Sequence, residues 1–150
     1  MSTPFELILN VPDNGFNETA KKNRDAVIGA YQATLQGTES ALFEILDKDV
    51  AFHEAESLPY GGTQSGVPGA QAGVAGMFGA WSHLRVEIEE ILAAGDLVIA
   101  YMQITGTSRA TGKVYAGPVA ELFRFKSGKI SEWRPIYWDT HAVRKACGLD

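Results

Sequence analysis

Residues 119–140 read VAELFRFKSGKISEWRPIYWDT, two apolar and aromatic runs on either side of Lys126-Ser127-Gly128. Such runs around a short glycine-containing link form an antiparallel β-hairpin, with glycine supplying the positive φ that the reversal needs. Loop length then sets which residues share a face. A three-residue loop is the expectation here; it sets Phe125 against Lys129 and Glu121 against Trp133, so that Glu121 and Phe123 share a face with Trp133, Pro135, Tyr137 and Asp139. The outcome is a carboxylate among aromatic walls. A two-residue loop would instead set Glu121 opposite Arg134, as a solvated cross-strand ion pair.

Working outward, a chain of 150 residues with 45% hydrophobic and 21% charged residues fits one soluble globular domain with a single core. A net charge of −5 speaks against nucleic acid as a main partner, because neutralising phosphates needs a basic face. Cys147 is the one cysteine and can form no internal disulfide. No run of about 18 apolar residues is present to cross a bilayer, and no basic segment precedes FELIL. These features predict a cytoplasmic protein without membrane association.

Upstream, residues 1–16 read as an extension in which the apolar run Phe5 to Val11 meets the turn formers Pro12 to Gly15. It could serve as an edge strand, as a strap over a partner, or stay disordered. From Asn17, Val27, Tyr31 and Leu35 recur at helical spacing until Gly37. A second helix is expected over Glu39 to Asp47. An extended run follows, with Phe52, Glu54 and Glu56 on one face and Ala51, His53 and Ala55 on the other. The glycine-rich stretch LPYGGTQSGVPG reads as a loop, and Val67 to Trp81 as a helix with a Val74, Met77, Phe78 and Trp81 stripe. Leu84 to Leu92 alternates as a half-buried strand. Strands over Leu97 to Thr107, Val114 to Phe125 and Lys129 to Asp139 come next, and a short helix capped by Thr140 ends the chain. Three helices before a run of hairpin-linked strands predict an α+β domain, helices packed on one face of a curved, mainly antiparallel sheet, with a pocket between the layers.

The segment FHEAESLPYGGTQSG, the Gly95-Asp96 turn, TSRATGKVY, ELFRFKSGKI and the YWDT ending occur in an order and spacing that resemble the SnoaL-like and ketosteroid-isomerase-like branch of the NTF2-like superfamily, which includes polyketide cyclases. The resemblance covers about residues 21–149 and leaves residues 1–20 outside. It implies a cone-shaped half-barrel with three N-terminal helices on the concave face, a deep apolar pocket, and a homodimer formed through the outer face of the sheet. It also implies roles: Glu54 falls where ketosteroid isomerases carry the general base, Glu121 where they carry a second acid kept neutral to donate a hydrogen bond, and Tyr31 where they carry a tyrosine donor. Both acids are Glu rather than Asp, which displaces each carboxylate by about one bond length and argues against the steroid reaction itself.

Removing a proton beside a carbonyl needs a base near the carbon and donors aimed at the oxygen. Glu54, Glu121 and Tyr31 are the candidate catalytic set; the alternative is that Glu54 is a pocket-rim carboxylate and Glu121 accepts from Tyr31 only to hold the sheet against the first helix. Tyr60, Tyr101, Gln103, Phe123, Trp133, Tyr137 and Asp139 are candidate substrate contacts. His53 should point away from Glu54. His53, Glu54, Glu56, His83 and His141 lack metal-site spacing, and no phosphate loop is present, so neither metal nor other cofactor is expected. Two functions stay open: a cofactor-independent isomerase, cyclase or lyase acting on a small to medium hydrophobic carbonyl compound through an enolate, and a non-catalytic dimer that binds a hydrophobic ligand or a protein partner.

Overall fold

A computed structural model of the protein describes residues 6–12 and 14–150. Six strands form one sheet in the order β2-β1-β6-β5-β4-β3. These are β1 (Leu46–Glu54), β2 (Gly62–Ser65), β3 (Trp81–Ala94), β4 (Leu97–Ser108), β5 (Val114–Lys126) and β6 (Lys129–Tyr137). Helices α1 (Glu18–Leu35), α2 (Ala41–Glu44) and α3 (Gly66–Ala80) precede the long meander β3 to β6, and α4 (Thr140–Ala146) follows it. The α+β class is as expected. Two local readings are corrected: α2 is a single turn rather than a helix to Asp47, and the glycine-rich stretch contributes β2, paired antiparallel to β1.

The hairpin reaches the expected faces by a different route. Its loop has two residues, Ser127 at φ 51° and Gly128 at φ 80°, with Lys126 paired to Lys129; positive φ at both central positions is the reversal whose twist suits two strands. A bulge then skips Ser131, so Arg124 pairs with Glu132, Phe123 with Trp133 and Glu121 with Pro135. Neither alternative register is the observed one. The extra residue restores the phase that a two-residue loop alone would have lost, leaving Phe123, Phe125, Ile130, Trp133 and Tyr137 buried and Arg134 exposed.

A second bulge, between Ile88 and Glu90 of β3, reverses the expected alternation. Beyond it Ile91 packs on the core and Leu92 is 57% exposed. The inner face carries Val98, Ala100, Met102 and Ile104 of β4 with Val119 and Phe123 of β5. On α1, capped by the Asn17 side chain, Val27 is buried and Tyr31 partly so; Leu35, expected inside, is exposed in the last turn. Helix α3 lies so close to β1 that a Cβ on Gly73 would sit 2.5 Å from Phe52 Cε1. Within its predicted stripe, Val74 and Met77 pack on the core, Phe78 is exposed, and Trp81 belongs to β3.

The extension adds no strand over residues 6–12, and Leu7, Ile8, Leu9 and Val11 are exposed. Phe5 lies outside the described residues. The chain joins the domain where the Gly95 N–H donates to the Gly15 carbonyl at 2.8 Å. Among the described residues no helix is long and apolar enough to cross a membrane.

Candidate active site

Strand alternation brings the two acids to the same side. Phe52 and Glu54 point inward from β1 and are 1% and 5% exposed; Glu121, flanked by Val119 and Phe123, points inward from β5. Tyr31 reaches them from α1, its hydroxyl donating to Glu121 Oε2 at 2.6 Å. Glu54 Oε2 is buried without a hydrogen-bond partner. Around them stands an aromatic wall: Trp133 meets Phe52 edge-on at 4.7 Å between ring centres and lies 5.7 Å from Phe123.

Burial sets the electrostatics. Loss of solvent, and then the charge of Glu121, push the Glu54 carboxyl up to about 8. Desolvation also lifts Glu121, to about 7, held there by opposing donors, Tyr31 first and the Trp133 indole second. The Trp133 Nε1–H faces the carboxylate without completing a hydrogen bond, and it has no other partner. Burial and the neighbouring Glu121 raise Tyr31 well above an ordinary phenol. Near neutral pH the pair therefore holds about one proton between two carboxyls.

Deeper along the same face the Tyr60 hydroxyl donates to the Tyr137 hydroxyl at 2.8 Å. Burial raises both phenols, and both feel the charge of Glu54. Tyr31, Glu54, Tyr60, Glu121, Phe123, Trp133 and Tyr137 are thus gathered around one interior. Three expected contacts are not. Tyr101 and Gln103 fall on the opposite phase of β4 from Val98, Ala100 and Met102 and lie on the outer face, where Tyr101 pairs with Ala120 and Gln103 with Pro118. Asp139 is exposed and caps α4, accepting from the Ala142 N–H at 2.9 Å; the cap is Asp139 rather than Thr140. His53 points away from Glu54, its Nδ1 2.9 Å from Thr63 Oγ1.

Ser108 and Tyr115 carry no expectation from the sequence and Trp81 only that of a helical core stripe, yet each buries a polar side-chain atom that finds no partner. Counting back in twos from Glu121 gives Val119, Gly117 and Tyr115, and forward from Ala100 gives Ser108; strand periodicity could have found both. Trp81 was masked by its place at the end of a helical pattern. Among the described residues no group of three His, Cys, Asp or Glu side chains is placed to hold a metal ion.

The sequence profile of the SnoaL-like domain matches residues 27–133. Solved structures of the same architecture include an NTF2-like protein from Burkholderia thailandensis, 26% identical with a TM-score of 0.75 over 83% of this chain and 95% of that one. A candidate SnoaL-like polyketide cyclase from Jannaschia sp. CCS1 is 20% identical, TM-score 0.72, over 89% and 96% of the two chains. A protein of ketosteroid isomerase-like fold from Catenulispora acidiphila, in complex with trimethylamine, is 22% identical, TM-score 0.65, over 83% and 93%. Comparison with curated proteins gave no match.

Proposed function

The chain belongs to the SnoaL-like domain family, and from that premise we propose that it is a cofactor-independent isomerase, cyclase or lyase that moves a proton beside the carbonyl of a small to medium hydrophobic compound. The observation that carries the reading is a buried carboxylate oxygen without a partner, Glu54 Oε2, sharing an apolar interior with a second carboxyl that already holds a donor, Tyr31. At rest the single proton sits on Glu54, the higher-titrating acid, while Glu121 is ionised and accepts from Tyr31. In this reading that proton passes to Glu121 when a substrate carbonyl enters, and the ionised Glu54 then takes the proton from carbon. Tyr31, protonated Glu121 and the Trp133 indole N–H are donors for the oxygen on which charge develops. Phe123, Trp133, Tyr60 and Tyr137 supply the apolar and hydrogen-bonding walls. A proton count of one is essential to it: a doubly protonated pair has no base, and a doubly ionised pair has no neutral carboxyl to donate.

The test is exchange of the α-protons of 2-tetralone in deuterated buffer, followed by nuclear magnetic resonance. The expected result is exchange above the buffer rate that falls about 100-fold or more in Glu54→Gln and about tenfold or more in Tyr31→Phe and Glu121→Leu. Exchange that is equal in Glu54→Gln and the unmutated protein overturns the assignment of the base.

A second reading has its own support. The 2.6 Å bond from the Tyr31 hydroxyl to Glu121 Oε2 also suits a non-catalytic protein in which it holds α1 to the sheet. In either reading we propose a homodimer through the outer sheet face, where Tyr101, Ile136 and Trp138 are 39%, 47% and 81% exposed.

A further inference from the structure

Two buried hydroxyls stand outside the proton inventory of the acids. Tyr137 closes β6 and is 8% exposed. Tyr60 reaches it from the loop between β1 and β2, its hydroxyl donating to the Tyr137 hydroxyl at 2.8 Å between rings tilted by 56°. Two hydroxyls carry two protons, and the bond between them uses one. Among the described residues the Tyr137 proton has no acceptor. A buried donor without an acceptor is a costly exception that a ligand oxygen would remove.

Strand register places that proton. Trp133 pairs with Phe123 on β5 and with Phe52 on β1, and Pro135 pairs with Glu121. Trp133 and Tyr137 therefore stand two residues before and after Pro135 on one face of β6. Glu121 flanks Pro135 from β5, and Glu54, two residues beyond Phe52, flanks it from β1. The short proline ring is the floor between the acids, with Trp133 at one end and Tyr137 at the other. Tyr31 and the Trp133 indole already face Glu121 as donors; the Tyr137 end has one donor, and it is unspent.

The surroundings fix the charge that this end accepts. Burial first, with the charge of Glu54 adding to it, holds both phenols above their ordinary value, so Tyr137 donates and does not act as a base. Among the described residues no cationic side chain acts on either acid or on either phenol. With one proton between two carboxyls, the interior already carries about one negative charge. An anionic substrate group would meet repulsion there and no counter-charge.

We propose that Tyr137 is a specificity-determining donor for a second, neutral oxygen of the substrate, held in place by Tyr60 as a positioning residue. The compound taken between Glu54 and Glu121 is then a ketone that carries a further hydroxyl, ether or carbonyl oxygen, and neither a plain hydrocarbon ketone nor a keto acid. The assignment rests on the proton-transfer reading in that a substrate must enter between the acids.

Isothermal titration calorimetry with 2-tetralone, 6-hydroxy-2-tetralone, 7-hydroxy-2-tetralone and 6-carboxy-2-tetralone tests it. At least one of the two hydroxy compounds should bind about fivefold or more tightly than 2-tetralone, and the carboxylate more weakly than 2-tetralone. Tyr137→Phe should bring the preferred hydroxy compound to within about twofold of 2-tetralone, with 2-tetralone itself still bound. Tyr60→Phe should reduce the preference without abolishing it, because the Tyr137 hydroxyl stays but loses the neighbour that orients it. No preference for either hydroxy compound, a preference untouched by Tyr137→Phe or by Tyr60→Phe, or a carboxylate bound as tightly as the hydroxy compounds each overturns the proposal. Dissociation constants do not depend on proton transfer. Exchange unchanged in Glu54→Gln beside an intact preference would fault the base alone, whereas Glu54-dependent exchange without the preference would fault Tyr137 alone.

Discussion

Glu54 and Glu121 are costly residues to fold around, and the cost depends on pH. Unfolded, a glutamate titrates near 4.5; folded, Glu54 titrates near 8 and Glu121 near 7, chiefly because burial disfavours their charge. A raised folded value means that the folded state holds the proton more tightly, so this contribution to stability is fully present below about 4.5 and is lost as pH rises toward 8. For Glu54 the penalty at alkaline pH is on the order of 5 kcal/mol. Thermal unfolding should accordingly show Glu54→Gln losing its midpoint more slowly than the unmutated protein between pH 5 and 9. The variant should be more stable by several degrees at pH 9. Parallel midpoints across that range would contradict a buried, high-titrating carboxyl. The same pair predicts a bell-shaped profile of kcat/KM for 2-tetralone exchange, with limbs near 7 and 8 belonging to the pair rather than to either acid. Tyr31→Phe removes a donor that favours ionised Glu121, so it should move the acid limb upward; an unmoved limb would mean that Tyr31 does not set the acidity.

At the scale of elements, close contact limits what the helices tolerate. Gly73→Ala would improve helix propensity by up to about 1 kcal/mol, yet its methyl would strike the ring of Phe52, which is 1% exposed and has no room to retreat. Overpacking of this kind costs about 1–3 kcal/mol, and chemical denaturation should register a net loss; a gain would show that α3 can lift off β1. The strands were more legible in the sequence than the turns between them. Alternation alone separated Phe52 and Glu54 from Ala51 and His53 without telling which face is inside, whereas the hairpin's apolar residues settled which of its sides is buried. Loop length and bulges were not readable, because a two-residue loop with one skipped residue and a three-residue loop leave Glu121, Trp133 and Tyr137 on the same side. The bulge in β3 left a different mark: a strict-looking alternation through Leu92 concealed a change of phase at Glu89. Tyr101 and Gln103 were misplaced because polar residues on a long strand look alike from either side until the apolar phase of Val98 to Ile104 is fixed.

For the molecule as a whole, two faces of one sheet are set to different uses. The concave side carries the acids and aromatics. The convex side leaves Leu92, Tyr101, Ile136 and Trp138 partly or largely exposed, apolar side chains that a second copy would cover. The proposed homodimer predicts that analytical ultracentrifugation gives twice the chain mass, and that Ile136→Arg shifts the protein toward monomer by tenfold or more in dissociation constant. A protein that sediments as a monomer at micromolar concentration would contradict it.

Ser131, the residue skipped in the last hairpin, gives the strand an unusual tolerance. Removing one residue from the middle of a strand normally turns everything beyond it inside out. Here Ile130 and Glu132 already pair with the adjacent residues Phe125 and Arg124, so excising Ser131 leaves an unbroken ladder with every later side chain on its present side. The shortened protein should fold and keep its tyrosine and tryptophan fluorescence in a buried environment. An added residue at the same point would drive Trp133 and Tyr137 into water.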